Sequence, residues 1–137
     1  MKTLLCSAFP GTGKTYFFNN SDKTVLDSDS STFDKSQFPA NYIKYIKDNI
    51  GKIKLIFISS HKIVRDALVE NGLDFVLVYP SPDLKDDYIQ RYKKRGNAEG
   101  FVDLLLNNWD NWMIELENQK GCRRIVLQKG QYISDVI

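Results

Sequence analysis

Apolar residues reach this chain in two patterns: short continuous runs, and stretches where they return every three or four positions. The runs at residues 3–8, 53–59, 73–79 and 124–127 are rich in Val, Ile, Leu and Phe and are bounded by Gly, Pro, Ser or Asp, which predicts strands buried on both faces. A shorter run at 23–26 predicts a further strand. Between them the spacing turns helical. Residues 14–20 form a short helix. After Pro39, the residues Tyr42, Ile43, Ile46 and Ile50 share one face and Gly51 is the stop. Ile63, Val64, Ala67 and Leu68 mark a helix over about 62–70, closed by Asn71-Gly72. Pro82 suits the first turn of a charged helix that begins near Asp83, passes Tyr88, Ile89 and Tyr92, and breaks at Gly96-Asn97. From Phe101 to Leu116 a stripe including Val102, Leu105, Trp109, Trp112 and Met113 predicts a helix whose aromatics belong to the core. Residues 131–137 form a C-terminal tail that adds a short turn of helix. Five strands alternating with helices predict an α/β fold with a parallel sheet covered on both faces.

Composition narrows the class. At 137 residues and 42% hydrophobic content, the chain suits one domain, residues 1–137, with its own core. Nineteen Lys and Arg against seventeen Asp and Glu leave a formal charge of +2, too balanced to argue for a nucleic-acid or membrane partner. Cys6 and Cys122 lack metal-type spacing and read as two small buried thiols, which points to a reducing compartment. The stretch before Pro10 is neither a signal peptide nor a membrane span, so the expected location is the cytoplasm.

One segment carries specific chemistry. Ala8-Phe9-Pro10-Gly11-Thr12-Gly13-Lys14-Thr15 follows the pattern G-x-x-x-x-G-K-[ST], with Ala8 in place of the first Gly. Gly11, Thr12 and Gly13 turn the backbone so that its N–H groups cradle phosphates, Lys14 reaches the β- and γ-phosphates, and the Thr15 hydroxyl binds Mg²⁺. A strand precedes the loop and a helix follows it, as a phosphate-binding loop requires. The expected ligand is a nucleoside triphosphate.

Three further groups fall at the same sheet edge, because ligands in open parallel sheets bind beyond the carboxyl ends of the strands. Asp27 and Asp29 follow the second strand, as helix caps or as acids that orient metal-bound water or take a proton from an acceptor hydroxyl. Asp29 is favoured for the base and Asp27 for the metal side. Ser60 and His61 end the third strand, where they cap and pack the next helix or touch substrate. Arg91 and Arg95, four apart on one helix face, can clamp a transferring phosphate from a mobile lid, or stand as a solvated helix end.

The order A-F-P-G-T-G-K-T, then a strand ending in D-S-D-S, then a late helix reading I-Q-R-Y-K-K-R-G, resembles the small P-loop kinases of the nucleoside monophosphate kinase type, including adenylate kinases and small phage-encoded kinases. The resemblance implies a single-domain P-loop kinase fold with a five-stranded parallel sheet in the order 2-3-1-4-5 and a minimal lid. It implies ATP with Mg²⁺, and lid arginines that match Arg91 and Arg95. By the same carry-over, Arg65 holds acceptor phosphate. The expected activity is transfer of the γ-phosphate of ATP to a nucleotide or nucleoside substrate, a (deoxy)nucleoside monophosphate first. An Asp soon after the second strand also resembles hydroxyl kinases that act on hydroxymethylated bases or polynucleotide ends, which makes a nucleic-acid substrate the alternative. A third reading is a switch or inhibitor protein that binds ATP without transferring phosphate.

Overall fold

The computed structural model describes residues 2–20, 25–27 and 33–137, with the side chains of Thr15, Asn20 and Asp27 outside that description. Five strands, β1 (Leu4–Ala8), β2 (Val25–Asp27), β3 (Leu55–Ser59), β4 (Val76–Pro80) and β5 (Arg123–Leu127), form one sheet in the order β2-β3-β1-β4-β5. Every pairing is parallel: Leu4 lies against Leu55, Cys6 against Val76, Val25 against Leu55 and Val76 against Arg123. The predicted sheet and its order are therefore observed. Among the described residues six α-helices connect or follow the strands: α1 (Lys14–Asn20), α2 (Ala40–Asn49), α3 (Lys62–Glu70), α4 (Lys85–Lys94), α5 (Glu99–Glu117) and α6 (Ile133–Val136).

Alternation along the strands divides the core between the two faces of the sheet. Leu5, Ile56, Ile58 and Leu77 pack with residues of α2 through α5. Cys6, Phe57, Val78 and Leu127 point the other way and pack with Phe17 of α1 and with Ile133 and Val136 of α6. Central strands β1, β3 and β4 are thus covered on both sides, which is why their sequences read as continuous apolar runs. The heavier layer is anchored by α5, whose Val102, Leu105, Trp109, Met113 and Leu116 are buried. Each such side chain contributes about 1.5–3 kcal/mol by leaving water, more than any propensity difference along the helix. Trp109 sits edge-on to Phe9 at a centroid distance of 5.6 Å and donates its indole N–H to the Pro82 carbonyl at 3.0 Å.

Three local expectations shift. Ile50 lies past the end of α2, is 39% exposed, and bridges to Ile53 instead of completing the buried face. The strand predicted from Leu73 begins at Val76, because residues 72–73 are used to close α3: Gly72 takes φ +67°, and Leu73 donates its N–H to the Leu68 carbonyl. Cys6 is buried as expected, whereas Cys122 is only partly so.

Candidate functional site

The loop of residues 9–13 joins β1 to α1 and is braced from several sides. Phe9 donates its N–H to the Val78 carbonyl at 3.0 Å, which fixes the loop to the sheet where β1 ends. Thr12 is buried, and its hydroxyl donates to the Phe9 carbonyl at 2.7 Å, so its side chain staples the loop while its backbone remains the part available to a phosphate. Gly11 and Gly13 take φ values of +84° and +95°. These are conformations that glycine adopts without the steric cost of a Cβ. They also leave room for two tyrosines: a Cβ on Gly11 would stand 2.8 Å from the Tyr92 ring, and one on Gly13 would stand 3.1 Å from the Tyr132 ring.

Helix α4 and the C-terminal segment supply the braces. Tyr92 donates its hydroxyl to the Pro10 carbonyl at 2.7 Å, and Arg91 Nη1 donates to the Gly11 carbonyl at 2.9 Å. The Arg91 guanidinium lies over two rings, 4.2 Å from the centroid of Tyr88 and 4.4 Å from that of Tyr132. On the other side, the Ile133 N–H donates to the Thr12 carbonyl at 2.9 Å. Burial pushes the Tyr88 and Tyr92 phenols above their ordinary pKa, with Arg91 opposing in both cases, so both stay protonated at neutral pH. Behind the loop, burial pushes the Cys6 thiol up to about 12 despite the pull of Lys14, and it is inert there.

Two cavities flank the loop. The first, about 500 Å³, opens between the ends of β1 and β3, the start of α3 and the inner side of α5. Its polar lining includes Ser60, His61, Lys62, Arg65 and Glu115. The second, about 460 Å³, lies between Gly13, Tyr16, Arg91, Lys94 and Tyr132. Gly11, Lys14 and Arg95 line both. Arg95 reaches this position as the C-terminal cap of α4, where Gly96 at φ +78° and the bond from the Asn97 N–H to the Tyr92 carbonyl turn the chain into α5.

The residues singled out from sequence meet here unevenly. Lys14, His61, Arg65, Arg91 and Arg95 all border one or both cavities. His61 is exposed and stands at the N-cap of α3 without a side-chain capping bond, so of its two expected roles the capping one is not made by its imidazole. Arg65 is 3% exposed and already engaged: Nε donates to the Ser60 carbonyl at 2.8 Å, Nη1 donates to Gln119 Oε1 at 2.7 Å, and Nη2 lies 3.7 Å from Glu115. Burial lowers its pKa while Glu115 and Asp66 oppose. Asp27 ends β2 in register with Phe57, which puts its backbone at the same sheet edge. Its carboxylate, the Thr15 hydroxyl and the whole of Asp29 lie outside the described residues.

Sequence reasoning missed Tyr92, Tyr132, Trp112 and Glu115. Tyr132 alone had a local signal: its N–H donates to the Asp135 carboxylate at 2.8 Å, a capping contact between positions three apart in Tyr132-Ile133-Ser134-Asp135. Arg91, expected either as a clamp from a mobile lid or as a solvated helix end, bonds here to the Gly11 carbonyl of the loop. No group of three or more metal-ligating side chains occurs among the described residues, and none of their helices is long and apolar enough to cross a membrane. In comparisons with known proteins, no family model and no curated protein matches the chain.

Proposed function

We propose that this chain is an ATP- and Mg²⁺-dependent phosphotransferase that moves the γ-phosphoryl group to a nucleotide-type acceptor, in first place a (deoxy)nucleoside monophosphate. The observation that carries the reading is the sharing of Gly11, Lys14 and Arg95 by two cavities at the loop. Phosphoryl transfer requires donor and acceptor oxygens to approach one phosphorus in line, with cations around the charge that spreads over it. Two pockets that meet at two cations suit that need, whereas a simple nucleotide switch needs only one.

The second cavity is the donor side. Gly11 and Gly13 fit a phosphate cradle, since both hold the left-handed backbone that brings main-chain groups close to a ligand. Lys14 offsets negative charge on the β- and γ-oxygens, and Arg95 approaches the transferred group from the end of α4. Arg91 positions the loop through Gly11, so its role is to hold the cradle in shape. Mg²⁺, when bound, would supply charge neutralisation to the triphosphate. Thr15 and Asp27 are the residues assigned to it by sequence pattern. An acceptor hydroxyl, unlike a phosphate, needs a base, for which the sequence pattern favours Asp29, two residues past the β2 end, and this keeps the hydroxyl-kinase reading as the second choice.

ADP release tests the proposal. The full chain with MgATP alone should turn over slowly, and a (deoxy)nucleoside monophosphate should accelerate it. Rapid ADP release that ignores every acceptor would replace the reading with an ATPase, and no release under any condition would replace it with a binding switch.

A further inference from the structure

Resting on that donor reading, we infer that the first cavity receives a single nucleoside or nucleoside monophosphate, with its base against α5 and an amine-bearing edge of the base at Glu115. The buried stripe of α5 is complete with Val102, Leu105, Trp109, Met113 and Leu116. A second apolar strip beside it, Phe101, Leu104 and Trp112, lines the cavity instead. Phe101 and Trp112 are half-buried, with one side of each packed against the core, and Leu104 is 51% exposed, so the core leaves the remaining apolar surface of this strip to the cavity. A flat ring is the ligand that such a wall accommodates, with stacking on the indole as the specific contact.

Glu115 lies three residues beyond Trp112, on the same side of the helix. Its side chain is 43% exposed, and its one ion-pair contact among the described residues is Arg65 at 3.7 Å. Arg65 is held by shorter bonds to Ser60 and Gln119, so the carboxylate keeps lone pairs for a ligand. An ionised carboxylate only accepts hydrogen bonds. It therefore favours the adjacent N–H donors of guanine, or the exocyclic amine of cytosine or adenine, over uracil and thymine, whose single N3–H is flanked by two carbonyl oxygens that repel a carboxylate.

The cations favour a monomer over a polymer. Nucleic-acid strands are held by rows of uncommitted Lys and Arg along the phosphates. Here Lys62 is paired with Asp66 at 2.6 Å and Arg65 is bonded to protein, which leaves Lys14 and Arg95 at the end nearest the donor. That end takes the phosphorylated group.

Tryptophan fluorescence of the full chain reads the inference directly. GMP, AMP, CMP, UMP and their nucleosides are titrated in turn, with MgATP binding measured separately by calorimetry. Because Trp109 is fully buried, quenching reports Trp112, and Trp112→Phe should abolish it. The amine-bearing monomers should bind about tenfold or more tightly than UMP, and Glu115→Gln should remove most of that preference. Leu104→Arg, at an exposed position, should weaken them by about tenfold or more while MgATP affinity holds. MgATP binding without quenching by any monomer, equal affinity for GMP and UMP, or quenching by oligonucleotides alone would each overturn the inference. Failure of MgATP itself to bind would instead overturn the donor reading.

Discussion

Arg91→Lys separates a brace from a mobile clamp. The guanidinium donates to the Gly11 carbonyl at 2.9 Å and is stacked between the rings of Tyr88 and Tyr132. A hydrogen bond from a charged donor is worth about 1.5–3 kcal/mol, and a cation over an aromatic ring adds about 0.5–1 kcal/mol at partly exposed sites. Lysine keeps the charge and can remake part of the hydrogen bond, but as a compact ammonium it cannot lie flat between two rings. A net loss of about 2 kcal/mol follows for the nucleotide-free protein, equivalent to ~7 °C in melting temperature for a domain of this size. Differential scanning calorimetry without ligand is the assay, followed by MgATP titration of the same sample. If Arg91 braces the loop, stability falls before any nucleotide is present and ATP affinity falls with it. A melting temperature within about 1 °C of the parent, combined with a large loss of turnover, would refute this reasoning and return Arg91 to a lid.

Other perturbations probe neighbouring parts. Gly11→Ala places a Cβ 2.8 Å from Tyr92 at φ +84°, so we expect about 1–3 kcal/mol of destabilisation in denaturant titrations and weaker MgATP binding; unchanged values would show that the loop relaxes freely. Arg95→Ala should leave the stability of the nucleotide-free chain within about 0.5 kcal/mol while transfer slows about 10²-fold, and unchanged kinetics would make Arg95 a solvated helix end. Alkaline pH should destabilise the fold. Below pH 9 the Cys6 thiol is protonated in both states, but between about 9 and 12 the unfolded thiol ionises while the buried one does not, so stability falls as pH rises through that window. The phenols of Tyr88 and Tyr92, raised mainly by burial, act in the same direction from about pH 10 upward. Denaturation midpoints at pH 8 and 10.5 measure the effect, and Cys6→Ala should reduce it.

The sheet was legible because its central strands are buried on both faces, so Leu4–Ala8, Leu55–Ser59 and Val76–Pro80 carry near-continuous apolar runs that helices of this length do not. The loop was legible because its glycines and Lys14 are constrained within eight consecutive positions. Other features depend on contacts between distant parts of the chain. Nothing near Arg91 reveals that Gly11, eighty positions earlier, accepts its hydrogen bond. Trp109 and Trp112 are three residues apart on one helix and have the same hydropathy, yet one is buried against Phe9 and the other faces a cavity. Periodicity finds the helix, but the exact rotation of that helix against the sheet decides which tryptophan reaches the cavity. The tail was read as a turn of helix, and its docking on Thr12 through Ile133 depends on where β5 ends.

The central claim is that phosphate crosses from one cavity to the other past Lys14 and Arg95. Its most direct measurement follows label from [γ-³²P]ATP into a panel of nucleoside monophosphates, nucleosides and oligonucleotides, with the parent chain and with Lys14→Ala. We predict a labelled nucleoside diphosphate with the parent chain and none above background with Lys14→Ala. Label that stays in ATP, or leaves it only as inorganic phosphate, would contradict the account.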